Sequence, residues 1–377
     1  MTSSVFSRRR FVGQVSTAAA WALLPRLGVA SDVAAPAKKL GVALVGLGGY
    51  AAILASALRE TRFCHLAGIV TGTPSKLARW AREFDLPPNA LYTYETMDRI
   101  ADNPAIDVIY VVTPPGTHRE FVERAAKTGR HVVCEKPMAT SVADCDAMIA
   151  ACRAAKVQLA IGYRLQFEPH HREMARLARV GELGPFERLR GGNGFRLGAR
   201  TWRVNRALAG GGPLMDMGIY VIQAACTAKL ETAPVAVTAE FLPVTRPELF
   251  NEVEEALRWK MEFADGAVAE CTSSYTENVS QFRAEGAAGW IEIPYPAFFY
   301  SGQKLETSRG PRHFSTGSQQ AAQLDALAES FREGRPNSVP GEMGRRDLAI
   351  IEAIYSAART GKSVAPVSDW RPLGSRV

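Results

Sequence analysis

Three short stretches of this 377-residue chain combine residue types that can do chemistry together. The first, Gly46-Leu47-Gly48-Gly49-Tyr50-Ala51, has the form G-x-G-x-x-A. In that form Gly46 permits a tight turn, Gly48 lets backbone approach a pyrophosphate, and Ala51 lets a helix pack closely on a sheet. Gly49 and Tyr50 complete the turn, and a helix starting there offers free N–H donors and the positive end of its dipole to phosphate. The second stretch is Cys134-Glu135-Lys136-Pro137, which ends an apolar run. An unpaired buried charge is costly, so Lys136 is either a cation for catalysis or substrate, or a surface lysine whose stem snorkels. The third runs from Gly210-Gly211-Gly212 to Tyr220 and contains Asp216, four residues earlier and on the same helix face as Tyr220. A phenol titrates near about 10, so it shuttles protons at neutral pH only where a cation favours its anion. Lys136 could supply that cation, and Asp216 could orient the lysine or a substrate hydroxyl; the alternative is an ordinary, partly buried Asp–Tyr pair.

Weaker candidates surround these. A dinucleotide site for NAD places an acid at the end of the second strand to accept the ribose hydroxyls. Here the segment is Thr71-Gly72-Thr73-Pro74-Ser75-Lys76, with no acid before Glu83. Hydroxyls, a lysine and helix-start N–H groups suit a 2′-phosphate, so NADP is the expected cofactor, with Thr71 and Lys76 at the phosphate. Thr113 and Pro114 open a loop that leads to His118, which either lies near the nicotinamide side or simply starts a helix. Glu135 and Arg164 are placed on the cofactor side. Arg164 and Arg203 are also candidates for sugar contacts, each with a structural role as the alternative.

Alternating elements would position these groups. Short apolar runs at Leu40–Gly46, His65–Thr71, near Leu91, Asp107–Thr113, His131–Glu135 and Val157–Gly162 read as buried strands. Helical stretches fall between them: to about Arg59, Thr73-Pro74 to Phe84, Glu95–Ile100, His118–Lys127 and Ser141–Ala155. That alternation predicts an α/β doubly wound parallel sheet, whose strand carboxyl ends line a ligand crevice. After Tyr163 the pattern changes to an α+β domain. Pro169–Val180 and Pro213–Thr227 read as helices, and Phe186–Arg190 as a strand. In Ala256–Phe263 apolar and polar residues alternate, and Asp265-Gly266 is read as a two-residue hairpin turn. Two amphipathic helices, near Gln319–Phe331 and Arg345–Arg359, close the chain. The expected domains are residues 1–30 (leader), 31–39 (short arm), 40–163 (dinucleotide-binding) and 164–377 (substrate and oligomerisation).

Composition bounds the rest. Hydrophobic residues make up 47% and charged residues 22%, which excludes disordered, collagen-like and multi-spanning membrane chains. The net charge of +7 is concentrated at the start, because residues 1–30 hold Arg8, Arg9, Arg10 and Arg26 and no acid. The remainder has 41 basic against 38 acidic residues, and no basic stripe interleaved with aromatics supports a nucleic-acid partner. Arg8–Phe11, the apolar run Val12–Leu24 and a small-residue exit near Ala30 or Ala37 have the order of a twin-arginine export signal. The run falls short of the ~20 apolar residues that span a bilayer, so a periplasmic protein without a stable membrane anchor is expected. Six cysteines show no C-x-x-C and no metal-ligand spacing, so buried free thiols and no metal are expected.

The glycine motif, Glu135–Cys145, Ile161-Gly162-Tyr163-Arg164 and Gly210–Tyr220 together resemble the Gfo/Idh/MocA family, in its glucose–fructose oxidoreductase branch. The likeness runs from about Gly41 through Ala358 and extends to the export signal. It implies a Rossmann domain followed by a large open, mainly antiparallel sheet, with NADP between them. It also implies that Lys136 and Tyr220 are the catalytic pair, assisted by Asp216, and that Thr71 and Lys76 meet the 2′-phosphate. The implied reaction oxidises an aldose at C1 to the lactone and passes the hydride, through NADP, to a ketose or second aldose in the same site. The alternative is a family dehydrogenase that exchanges NADP(H) freely and acts on a sugar or polyol. Small sugars are the implied partners, and association through the sheet implies a homodimer or homotetramer. One departure is the stretch before the first strand: the branch carries a long proline-rich arm over the cofactor, whereas Ser31–Lys39 is short and holds a single proline.

Overall fold

The computed structural model describes residues 38–367; the segment read as an export signal, and most of the short arm, lie outside the described residues. The first half is a six-stranded parallel sheet in the order β3-β2-β1-β4-β5-β6. Its strands are β1 (Leu40–Val45), β2 (Cys64–Val70), β3 (Leu91–Tyr92), β4 (Val108–Val111), β5 (His131–Cys134) and β6 (Leu159–Ile161). Val42 to Val45 and Val108 to Val111 are buried because helices cover both faces. Those helices are α1 (Gly49–Leu58), α2 (Pro74–Glu83), α3 (His118–Lys127) and α4 (Val142–Ala154). The strand order reverses between β1 and β4, which opens a crevice beyond their carboxyl ends. The helix expected at 95–100 is only a 3-10 turn, Met97–Asp102. Thr93 and Thr96 exchange side-chain bonds with each other's backbone N–H there, and such local bonds compete with a helix start.

The second half begins with α5 (Pro169–Val180), capped by the Glu168 carboxylate. A seven-stranded sheet follows, in the order β13-β12-β11-β7-β10-β9-β8. Its members are β7 (Phe186–Gly194), β8 (Ala236–Phe241), β9 (Ala256–Glu262), β10 (Val268–Ser274), β11 (Val279–Gly286), β12 (Gly289–Ile293) and β13 (Glu306–Thr307). Pairing is antiparallel except between β7 and β10, so the sheet is mixed. Alternation along β9 puts Leu257, Trp259 and Met261 inward and Arg258, Lys260 and Glu262 outward. The hairpin from β9 to β10 is not a two-residue turn. The Phe263 N–H reaches the Ala267 carbonyl, and Gly266, at φ +84°, donates back to Phe263. A two-residue turn of the Asp-Gly type needs positive φ at both central residues; Asp265 instead accepts from Lys229 at 2.6 Å and from the Ala267 N–H.

Between β7 and β8 the chain forms the short helix α6 (Arg206–Ala209), then α7 (Ile219–Ala228), whose ten residues are all buried against the sheet. The helix expected from Pro213 opens with one π-helical turn, Leu214–Gly218. Half-buried Glu254 fixes that opening by accepting from the Gly212 and Leu214 N–H groups, and a side chain at Gly212 would strike the Glu254 carbonyl at 2.3 Å. The last helices, α8 (Gln319–Glu333) and α9 (Gly341–Thr360), return to the first half. Asp325 on α8 accepts the Arg62 and Phe63 N–H groups, and Gln323 donates to the Tyr110 hydroxyl. One continuous apolar core therefore joins the two sheets.

Candidate active site

The crevice beyond the parallel strands is a cavity of about 330 Å³ walled by both halves. The first half contributes Tyr50 from the glycine turn, Thr113 and Pro115 after β4, and Glu135, Lys136 and Arg164 after β5 and β6. The second half contributes Asp216, Met217 and Tyr220 from the π turn and α7, Arg203 before them, and an aromatic wall.

Lys136 is the centre of the charge pattern. Its Nζ donates to the Asp216 carbonyl at 2.8 Å, lies 3.4 Å from Asp216 Oδ1, and sits 4.6 Å from the centroid of the Tyr220 ring. The π turn matters here, because it presents the Asp216 and Met217 carbonyls to Lys136 and Asn193. Burial alone would lower the Lys136 pKa, but Tyr220, Asp216 and Glu135 outweigh it and hold the ammonium above its ordinary value. Burial likewise works against the Asp216 carboxylate, yet Lys136 and Arg203 hold it below the usual range. Arg203 Nε and the Tyr275 hydroxyl both donate to Asp216 Oδ2, at 2.8 and 3.1 Å.

Tyr220 is 8% exposed and faces a second cation. The Arg164 guanidinium lies 5.0 Å from the Tyr220 ring and 4.6 Å from the Tyr300 ring. Arg164 is fixed by the Phe298 and Phe299 carbonyls and by Gln319. Two cations within about a ring's width stabilise negative charge developing on a phenol oxygen. Glu135 is pushed up by burial, accepts from the Tyr110 hydroxyl at 2.6 Å, and closes the floor beneath Lys136.

Fit to a dinucleotide can be judged at the glycine turn. Gly46 has φ +94°, and a Cβ there would press on Thr113 at 2.8 Å, so glycine is required. A Cβ on Gly48 or Gly49 would meet nothing within 4 Å, which leaves open space above the helix start. No side chain caps α1 and its first turn has no acid, so its N–H donors and dipole face that space. The Tyr50 hydroxyl is buried there without a partner. At the end of β2 the first turn of α2 also lacks an acid, and Lys76 on it is exposed. The Thr71 hydroxyl, by contrast, is buried and accepts the Thr73 N–H at 3.3 Å. These residues fit a dinucleotide bearing an extra phosphate on the adenosine side.

The structure thus gathers Tyr50, Thr113, Glu135, Lys136, Arg164, Arg203, Asp216 and Tyr220 around one crevice, with Gly46, Gly48, Gly49 and Ala51 in the turn and helix start that carry Tyr50. Thr71 and Lys76 lie at the β2 end, apart from that cluster. Pro114 does not line the cavity. His118 is wholly buried at the start of α3, with Nε2 2.7 Å from the Thr113 carbonyl and Nδ1 against those of Pro137 and Met138. Its ring nitrogens therefore face backbone that shapes the crevice, as a helix-start role requires, and its side chain does not line the cavity. The wall of Phe195, Trp202 and Phe298 to Tyr300, and the Tyr275 hydroxyl, escaped the sequence reading. The aromatic density of Tyr295–Tyr300 was the available signal.

Residues 40–163 match the profile of the Gfo/Idh/MocA oxidoreductases with an NAD-binding Rossmann fold, and residues 171–292 match the family's C-terminal domain. The chain belongs to the Gfo/Idh/MocA family. A Gfo/Idh/MocA chain of this kind is an oxidoreductase, and its similarity to aldose–aldose oxidoreductase from Caulobacter crescentus is high. That crystal structure, complexed with glycerol, is 45% identical, with a TM-score of 0.85 over 87% of this chain and 100% of that one. The NADP(+) D-xylose 1-dehydrogenase of Haloarcula marismortui is 27% identical over 335 residues, 85% of this chain and 92% of that protein. A second NADP(+) D-xylose 1-dehydrogenase, from Haloferax volcanii, is 29% identical over 308 residues, covering 79% and 91%.

Proposed function

We propose that this oxidoreductase uses NADP to oxidise an aldose at C1 and to reduce a second aldose, or a ketose, in the same crevice. The observation that carries this reading is Tyr220 set between Lys136 and Arg164, beside an uncapped glycine turn with no acid at the end of β2. The names of the relatives, an aldose–aldose oxidoreductase and two NADP(+) xylose dehydrogenases, support the same cofactor and substrate class. NADP held against the glycine turn, with Lys76 at its extra phosphate, supplies the hydride acceptor and, once reduced, the donor.

The chain's own residues handle the proton. In the oxidation Tyr220 takes the proton of the C1 hydroxyl as the C1 hydride departs, leaving a lactone. Lys136 polarises the same oxygen, while Asp216, held by Arg203 and Tyr275, fixes Lys136 in place. In the reduction Tyr220 returns that proton to the carbonyl oxygen of the second sugar as its carbon gains the hydride, giving a polyol. The aromatic wall offers apolar faces to the C–H side of a sugar ring.

The experiment is turnover of an aldose by purified protein with no added cofactor. Paired lactone and polyol, with no build-up of near-ultraviolet absorbance from NADPH, is the expected result. Strict dependence on added NADP, with NADPH accumulating, replaces the cycle with a freely exchanging dehydrogenase. The export reading of residues 1–30 rests on the paired arginines and apolar run, and cell fractionation with mass measurement of the mature chain tests it. Association into a homodimer or homotetramer through the outer face of the seven-stranded sheet is tested by native mass spectrometry.

A further inference from the structure

The loop after β12 carries an unusual arrangement of aromatics. Phe298 is buried, its N–H bonded to Ser280 Oγ at 2.9 Å and its carbonyl to Arg164. The Phe299 carbonyl accepts from Arg164, Gln303 and Gln319. With the two preceding residues fixed, Tyr300 projects from the second half across the mouth of the crevice. Although 47% exposed, its ring stacks on Tyr50 of the glycine turn at 5.9 Å and lies 4.6 Å from the Arg164 guanidinium. A continuous row, Tyr220, Arg164, Tyr300 and Tyr50, therefore spans from the acid–base tyrosine to the uncapped start of α1. Tyr50 lines the cavity, and its hydroxyl is buried and unpartnered.

We propose that Tyr300 is a cofactor-retaining residue: with Tyr50 it bridges the two halves over the crevice, so that the cofactor leaves only after the Tyr300 ring swings away. The inference rests on the NADP reading of this crevice. A dinucleotide that reaches both the glycine turn and Lys136 runs beneath the row. The bridge acts mainly on departure, because residues that close over a bound molecule alter the off-rate more than the on-rate. It also gives the crevice a means of keeping its cofactor between an oxidation and a reduction while sugars exchange.

The test compares the parent with Tyr300→Ala, Tyr300→Leu and Tyr300→Phe. Bound NADP(H) is read by native mass spectrometry, and its release by NADPH fluorescence during a chase with excess NADP. Tyr300→Ala should release NADPH at least about tenfold faster, a change in off-rate equivalent to ~1.4 kcal/mol. Tyr300→Leu should fall between, and Tyr300→Phe should stay within about twofold of the parent, because the contact is made by the ring. Unchanged melting of cofactor-free Tyr300→Ala separates release from folding, as expected for a half-exposed ring. Release at the parent's rate in both Tyr300→Ala and Tyr300→Leu, or a change confined to the KM for sugar, overturns the bridge while leaving the NADP reading intact. A parent that takes up no NADP(H) at all overturns both.

Discussion

Two carboxylates in the second half, Asp216 and Glu255, are built from similar parts and behave differently. Glu255 is buried and Asp216 largely so, each pairs with an arginine at 2.8 Å, and each has a pKa held below its usual range. Glu255 is saturated. It accepts the Thr245 and Arg246 N–H groups, both threonine hydroxyls of Thr245 and Thr276, and Arg246 Nε. Arg246 spends its remaining nitrogens on the Leu197 and Tyr275 carbonyls. No residue of that cluster lines the crevice. Asp216 instead draws Lys136 from the first half and Arg203 and Tyr275 from the second, and both of its cations line the cavity. An ion pair that is complete fastens loops; one whose cations still face a cavity can act on a ligand.

Substitutions should separate the two clusters. The largest effect is expected for Lys136→Ala and Tyr220→Phe. Each should lower turnover about 10²–10⁴-fold, the usual span for an acid–base group, with a smaller fall in melting temperature than loss of Arg246, because Asp216 keeps Arg203 and Tyr275. Steady-state kinetics beside thermal melts checks this; turnover within about threefold of the parent in both variants removes the assigned mechanism. Arg246→Ala should do the reverse. It leaves Glu255 buried without its cation, costing about 3–5 kcal/mol of stability, while kcat per folded molecule changes far less. Urea unfolding read against active-site titration distinguishes the two outcomes.

Acid sharpens the contrast. Glu255 and Glu168 both sit at about 2, although burial pushes each the other way. Arg246 with the Thr245 and Arg246 N–H groups holds Glu255 down, and His171 with His170 holds Glu168 down. An ordinary glutamate titrates near about 4.3. Their contribution to stability is therefore complete above that value and is lost as pH falls from there through about 2. Glu255→Gln should flatten the acid side of a stability–pH curve measured by urea midpoint. A curve with the parent's slope between those values contradicts the assignment of Glu255 as a fastener.

How much of this was legible in the sequence follows from where each signal lies. Gly46 to Ala51, Lys136, and Asp216 with Tyr220 were readable because each signal is local: a spacing, a strand end, a helical offset. The parallel sheet was readable for the same reason, since its buried strands are short unbroken apolar runs. The π turn was not, because it depends on Glu254, forty residues later, reaching back to Gly212 and Leu214. Phe298 to Tyr300 lie in a loop without period, and side chains distant in sequence, Arg164, Ser280 and Gln319, hold it in place. His118 was ambiguous in sequence because a histidine at a strand–helix junction suits either a ligand or a backbone anchor, and the three carbonyls that meet its ring come from segments the sequence does not place together.

The smallest effect is expected at an exposed cation with no carboxylate beside it. Lys76 is exposed on the first turn of α2, at the strand end where no acid stands. Unlike Lys136 it has nothing to hold it in one geometry, so it can meet a phosphate only as a solvated point charge. Lys76→Ala should therefore weaken NADP binding by about five- to tenfold, well below what a buried charge-assisted bond supplies. Affinity for NAD should stay unchanged and so should the melting temperature, because an exposed lysine packs against nothing. Adding a carboxylate with Lys76→Glu should deepen the loss for NADP alone by repelling the phosphate. Calorimetric titration of both cofactors into cofactor-stripped protein checks the ratio. An equal loss for NAD and NADP would move Lys76 from the 2′-phosphate to a site the two cofactors share, and would leave the N–H groups at the start of α2 to discriminate between them.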